Sequence, residues 1–151
     1  MLTEFQEIVI HNRLTNLLHE IEQEVEIMVT CQADTKGFIW FGTRNGLNRY
    51  DGSEFVIYKH DPKDSLTLSD NHIWSLAEDN DRNLWVGTAR GLNKLDLKTN
   101  RIKPFVDERY GAFAKSEVRC LTVDSRNRLW IGTTKGLYLY VPAMDVFQRI
   151  D

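Results

Sequence analysis

The sequence carries little that would announce a chemistry. It has two cysteines, Cys31 and Cys120, too few for a disulfide framework. Each falls in an apolar stretch where cysteine usually serves as a small buried hydrophobe, and no bridge between them is expected. No run approaches the roughly 18 apolar residues of a membrane helix. The opening residues, with Glu4 and Glu7 among them, do not resemble a signal peptide, so the chain reads as cytoplasmic if its start is native. A formal charge of -3 gives no reason to expect nucleic acid as a partner. The histidines His11, His19, His60 and His72 show no metal-ligand pairing, and nucleophile elbow, phosphate loop and dinucleotide fingerprint are all missing. The reading is therefore of a chain with no catalytic residues, no metal and no cofactor.

What is present is a metre. Trp40, Trp85 and Trp130 lie 45 residues apart, each followed by a glycine two residues on and a threonine three on. Gly46-Leu47, Gly91-Leu92 and Gly136-Leu137 repeat with the same period. A fixed period of this length means one supersecondary unit used several times. Within the second copy, Ile73 to Ala77, Leu84 to Thr88, Leu92 to Asp96 and Arg101 to Val106 read as four short strands joined by polar turns. The pattern is an antiparallel meander.

The turns have mechanical reasons. Gly46, Gly91 and Gly136 stand where a hairpin needs positive φ. Asp34, Asp79 and Asp124 open the preceding turn, where a carboxylate can bond backbone amides two or three residues on. Gly37 and Asn127 suit the left-handed position of that turn. Arg82 suits it poorly, so Asn83 or a shifted turn is expected to compensate in the second copy.

Trp40 with Phe41, and Trp85 with Val86, place bulk on both faces of one strand, which must then be covered on both sides. Sheets stacked radially about an axis meet that demand. The expected fold is all-β: three four-stranded antiparallel β-propeller blades, a partial propeller, at about 28–71, 72–116 and 117–151. Residues 1–27 differ in kind. Leu14, Leu18, Ile21, Val25 and Met28 form an apolar seam spaced 4, 3, 4 and 3, so an α-helical N-terminal extension is expected, covering a blade or pairing with a second copy.

Residues Asp34 to Thr43, Gly46 to Gly52, His60 to Leu66, Ile73 to Asp79 and Leu84 to Asn93 resemble the two-component regulator propeller repeat. The resemblance spans roughly residues 28 to 151 and implies the sensor region of a hybrid two-component histidine kinase, periplasmic and responsive to glycan-derived ligands. Family sensors resemble much longer assemblies with signalling modules. Here three blades are present and no phosphoacceptor motif surrounds His11 or His19, so any kinase activity would belong to other domains.

Repeat register makes Val29, Trp74 and Arg119 equivalent on the innermost strand, with side chains expected to face the axis. Trp74 could stack on a sugar ring and Arg119 could hold a carboxylate or sulfate, or pair instead with Glu117. His72, Arg109 and Tyr110, with His60, lie on connecting loops, where binding residues concentrate. The expected function is a non-catalytic ligand-sensing or interaction module that binds an oligosaccharide or other small ligand. The alternatives are a propeller enzyme of the streptogramin-lyase type and a structural remnant without ligand. Three blades leave apolar faces exposed, so self-association or docking of further blades of a longer protein is expected.

Overall fold

The computed structural model describes residues 28–151 and, before them, His11 alone. The expected N-terminal helix over 1–27 otherwise lies outside the described residues. Twelve strands form three antiparallel sheets of four. The first holds β1 (Met28–Ala33), β2 (Ile39–Thr43), β3 (Gly46–Tyr50) and β4 (Phe55–Tyr58). The second holds β5 (Ile73–Glu78), β6 (Asn83–Thr88), β7 (Gly91–Asp96) and β8 (Arg101–Pro104). The third holds β9 (Val118–Val123), β10 (Leu129–Thr133), β11 (Gly136–Val141) and β12 (Val146–Ile150). Each sheet is a simple meander in strand order. These are the blades read from the 45-residue metre.

Each sheet has two distinct faces, set by the period of two along its strands. Pairing of Ile39 with Tyr50 and of Phe41 with Asn48 puts these residues on one face, here called the front. Trp40, Gly42, Leu47 and Arg49 occupy the back. The back of the first sheet packs on the front of the second: Trp40 and Leu47 join Leu84, Val86 and Leu95 in one buried cluster. The back of the second packs on the front of the third, where Trp85 and Leu92 meet Leu129, Ile131 and Tyr138. Full burial of each such side chain contributes about 1.5–3 kcal/mol, so the two inter-sheet layers dominate the stability.

The glycines after the tryptophans measure how close the sheets come. A Cβ on Gly42 would lie 2.6 Å from Ile73 of the second sheet, and one on Gly87 would lie 2.7 Å from Val118 of the third. Gly132 would meet only Cys120 of its own sheet, at 3.3 Å. Among the described residues, none thus covers the back of the third sheet at this point. Trp40 and Trp85 keep 1% and 2% of their surface exposed, whereas Trp130 is only partly buried and Leu137 is 42% exposed.

Each tryptophan is also pinned at its indole nitrogen. Trp40, Trp85 and Trp130 donate to Asp34, Asp79 and Asp124 at 3.0, 2.8 and 2.8 Å. The other carboxylate oxygen accepts two backbone amides of the turn, from Lys36 and Phe38 in the first copy. One aspartate therefore closes the turn and orients the core residue beyond it.

Two expectations are corrected. Arg82 itself takes the left-handed conformation, at φ 65°, beside Asn127 at 59° and Gly37 at 88°, with no compensating shift. Its guanidinium is held by Glu78 at 3.1 Å and by Thr35 of the first sheet, and these partners offset the backbone cost. Cys31 and Cys120 are free and exposed rather than buried. Cys120 stands on the uncovered back face opposite Gly132, and Cys31 sits on β1, the first strand of the stack.

Candidate ligand-binding site

The innermost strand of every sheet is irregular at the same repeat position. Pairing slips between Met28 and Thr30, between Ile73 and Ser75, and between Val118 and Cys120. The skipped residues are Val29, Trp74 and Arg119, the three positions equated by repeat register. A bulge takes its residue out of the ladder and re-aims the side chain, which is why bulges gather beside binding sites. Two of these re-aimed side chains meet. The Arg119 guanidinium lies 3.9 Å from the centroid of the Trp74 ring, and His72 stacks on the same ring at 4.1 Å and 28°.

Neighbouring groups fix this trio. The His72 amide donates to Asp70 at 2.8 Å, and the His72 carbonyl accepts from Ala89 at 3.0 Å. Arg119 Nε donates to Glu117 at 2.6 Å, so the pairing weighed from sequence is formed alongside the stack on Trp74. Arg119 nevertheless keeps about half its side-chain surface, at 49%. His72 Nε2 and Trp74 Nε1 are buried and have no hydrogen-bond partner. An unsatisfied buried polar atom costs about 1–3 kcal/mol, so the cluster holds polar capacity that the fold leaves unused. The arrangement can offer an aromatic surface, a cation and two ring nitrogens in one place.

Arg109 and Tyr110 belong to a different cluster. They lie on a short 3-10 segment, Glu108–Phe113, in the connection between the second and third sheets. Both converge on Asp145, Arg109 at 2.7 Å and the Tyr110 hydroxyl at 3.0 Å. Tyr140 donates to the same carboxylate at 2.9 Å and Lys103 at 3.1 Å. Burial raises the Asp145 pKa, but these donors outweigh it and hold the carboxyl below its ordinary range. Burial, reinforced by Asp145, pushes the Tyr140 phenol well up. Every polar group named here is already partnered, and the cluster ties the last hairpin to the second sheet. His60 is likewise engaged: its Nδ1 lies 2.6 Å from the Leu68 carbonyl, and its amide donates to Asn71 at 2.7 Å.

An open groove of about 750 Å³ lies at the outer rim between the first two sheets, bordered by Tyr58, Leu66, Lys94 and Asn100. Tyr58 donates to Asn100 across it at 2.7 Å. None of the residues read as ligand contacts lines this groove. Among the described residues no three of His, Cys, Asp and Glu converge as a metal-binding group. No helix among them is long and apolar enough to cross a membrane.

Comparison with known proteins locates this architecture. The family model described as "Two component regulator propeller" matches residues 67–90 and 113–135. A 42-residue stretch is 43% identical to Histidine kinase P4 of Formosa agariphila, covering 28% of this chain and 3% of that protein. The extracellular domain of BT4673 from B. thetaiotaomicron, described as a one-component or hybrid two-component system, superposes with a TM-score of 0.65. Identity there is 28% over 82% of this chain and 16% of that one. PorZ of Porphyromonas gingivalis, a surface component of the type-IX secretion system, shares the fold at 16% identity and a TM-score of 0.63, covering 82% of this chain and 21% of PorZ. The chain thus spans a small part of each of these proteins. Three in-phase copies of one unit fold as three stacked meanders, and two stretches of them match the two-component regulator propeller model.

Proposed function

We propose that the chain is a ligand-sensing propeller module of a two-component type system, acting outside the cytoplasm and without catalysis of its own. Its ligand is an anionic glycan fragment held at the inner-strand cluster of Trp74, Arg119 and His72. The observation that carries this reading is the bulge. The same strand position is bulged in all three sheets, and the bulges of the second and third sheets bring Trp74 and Arg119 into contact. Aromatic stacking and a guanidinium suit a sugar ring bearing a carboxylate or sulfate. The unpartnered nitrogens of His72 and Trp74 supply further contacts after a small rearrangement. Similarity to an extracellular domain of a regulatory system supports the sensing role and the compartment. The same fold in a secretion component means that the fold alone does not support it.

The test is calorimetric titration with uronic-acid and sulfated oligosaccharides. Binding should be lost in Trp74→Ala and in Arg119→Ala while the circular dichroism spectrum is retained. Binding that survives both substitutions, or no binding to any acidic oligosaccharide, would overturn the assignment.

A further inference from the structure

Polar bonds across the two junctions between sheets fall on the 45-residue metre. In the turn after the inner strand, the Thr35 amide donates to Glu78 of the next sheet at 3.0 Å, and the Asn80 amide donates to Asn127 of the next at 2.8 Å. At the outer rim, the Tyr58 hydroxyl donates to Asn100 at 2.7 Å, and the Lys103 ammonium donates to Asp145 at 3.1 Å. Each donor lies on the earlier sheet of its pair, and each recurs 45 residues on. Ser125 and Gln148 stand next in the two series, on the third sheet, and both are exposed. Neither the Ser125 amide nor the Gln148 side chain has a hydrogen-bond partner among the described residues. The matching acceptors are missing from the front of the first sheet. Counting back by the same period, Ala33 stands for Glu78, Gly37 for Asn127, and Phe55 for Asn100 and Asp145. None of these carries a side-chain acceptor. Asn100 and Asp145 reach back from left-handed turn positions, at φ 59° and 51°, whereas Phe55 does not share that conformation and packs on Tyr50 at 4.7 Å.

We propose that the back of the third sheet is a selective docking surface. It takes a further sheet of this repeat that carries acceptors at the points of Glu78 or Asn127 and of Asn100, and it rejects the first sheet of a second copy. This goes beyond the ligand-sensing role and does not depend on it. The occupant follows from the two junctions already formed. Trp130 and Leu137 stand where Trp85 and Leu92 stand one repeat earlier, and the third sheet covers those two. Trp130 is only partly buried and Leu137 is 42% exposed, so the same apolar contact is there to be made again. Apolar packing alone accepts many partners. The two donors supply the discrimination, because docking a front without acceptors buries Ser125 and Gln148 unpaired, which costs more than leaving them in water.

Hydroxyl-radical footprinting tests this on the full chain and on the full chain extended after Asp151 by an in-phase copy of residues 62–106. That copy adds a fourth sheet with the front of the second. Trp130 and Leu137 should label at one rate at every concentration of the unextended chain, and about tenfold more slowly in the extended one. The changes Glu78→Ala, Arg82→Gly and Asn100→Phe, made in the appended copy alone, give it the first sheet's residues at these points. With two bonded couplings lost, labelling should return to within about twofold of the unextended chain. Should the triple change unfold the chain, Asn100→Phe alone replaces it, with a partial return expected. Equal protection by both extensions would mean that the polar points do not select. Free labelling in both would mean that this back takes no such sheet. Protection in the unextended chain that grows with concentration would assign the surface to a second copy. Each of these three results overturns the proposal.

Discussion

Asp124 accepts the indole hydrogen of Trp130 at 2.8 Å while its other oxygen takes the amides of Arg126 and Arg128 at 2.9 and 3.0 Å. The same aspartate and tryptophan, six residues apart, recur in all three copies. One carboxylate thus couples turn geometry to core packing, and its removal affects both.

In the second copy Trp85 keeps 2% of its surface exposed, whereas Trp130 in the third is only partly buried, so Asp79→Ala should cost more than Asp124→Ala. It strands the Trp85 indole and releases the amides of Asp81 and Asn83. A loss of about 2–3 kcal/mol is expected, with Asp79→Asn costing less because an amide oxygen can still accept. Chemical denaturation monitored by tryptophan fluorescence reads both.

Acid should loosen the third copy. Hydrogen bonds from Trp130 and the Arg128 amide hold the Asp124 carboxyl well below its ordinary value of 3.8. A carboxyl depressed in the folded state contributes stability that is present above the unfolded value and is lost as pH falls through the folded one. Thermal midpoints should therefore drop below roughly pH 4, and the acid slope should be shallower in Asp124→Asn.

The spacing between sheets predicts an asymmetry between two identical substitutions. Gly87→Ala would place a methyl 2.4 Å from Ser75 Oγ and 2.7 Å from the Val118 carbonyl, so a loss of about 2–3 kcal/mol is expected. Gly132→Ala meets only Cys120 of its own sheet at 3.3 Å, and the cost should stay under about 1 kcal/mol. Equal losses in thermal denaturation would show that something covers the third sheet in solution.

An apolar face left open in this way is a surface suited to association. Leu137→Glu, on the back of β11, should lower any self-association seen by light scattering at micromolar concentration without shifting the thermal midpoint by more than a few degrees.

Glu117, which accepts from Arg119, would compete with the proposed anionic ligand for its guanidinium. Glu117→Gln is expected to tighten binding of a uronic-acid oligosaccharide several-fold by titration, and a weakening would mean that Glu117 orients Arg119 for the ligand instead.

Much of this fold was readable from the chain. The 45-residue metre and the paired bulk of Trp40 and Phe41 required stacked four-stranded sheets, and the structure has them. The spacing from Asp34 to Trp40 was also on the page, three times over. By itself that spacing implies only turn chemistry, because a carboxylate near its own backbone amides suffices to explain a turn. Arg82 showed the limit of propensity: partners on Glu78 and Thr35, distant in sequence, decided its conformation. The bulges could not be read at all, since a slip in pairing depends on the register of two strands. Repeat arithmetic aligned Trp74 with Arg119, but only the slip shows how their side chains come to touch. Loop position alone groups Arg109 and Tyr110 with them, whereas Asp145 draws both into a separate cluster.

Every sheet turns its tryptophan face the same way, so the contact between neighbours is heterologous: head to tail, never like to like. A stack of this kind has a direction. Any further unit added after the third must offer a front built like those of Leu84 and Val86 or of Leu129 and Ile131. Two copies could close into one ring only by joining the tail of each to the head of the other. Pairing through equivalent surfaces about a two-fold axis would bury two tails and leave both heads as ends.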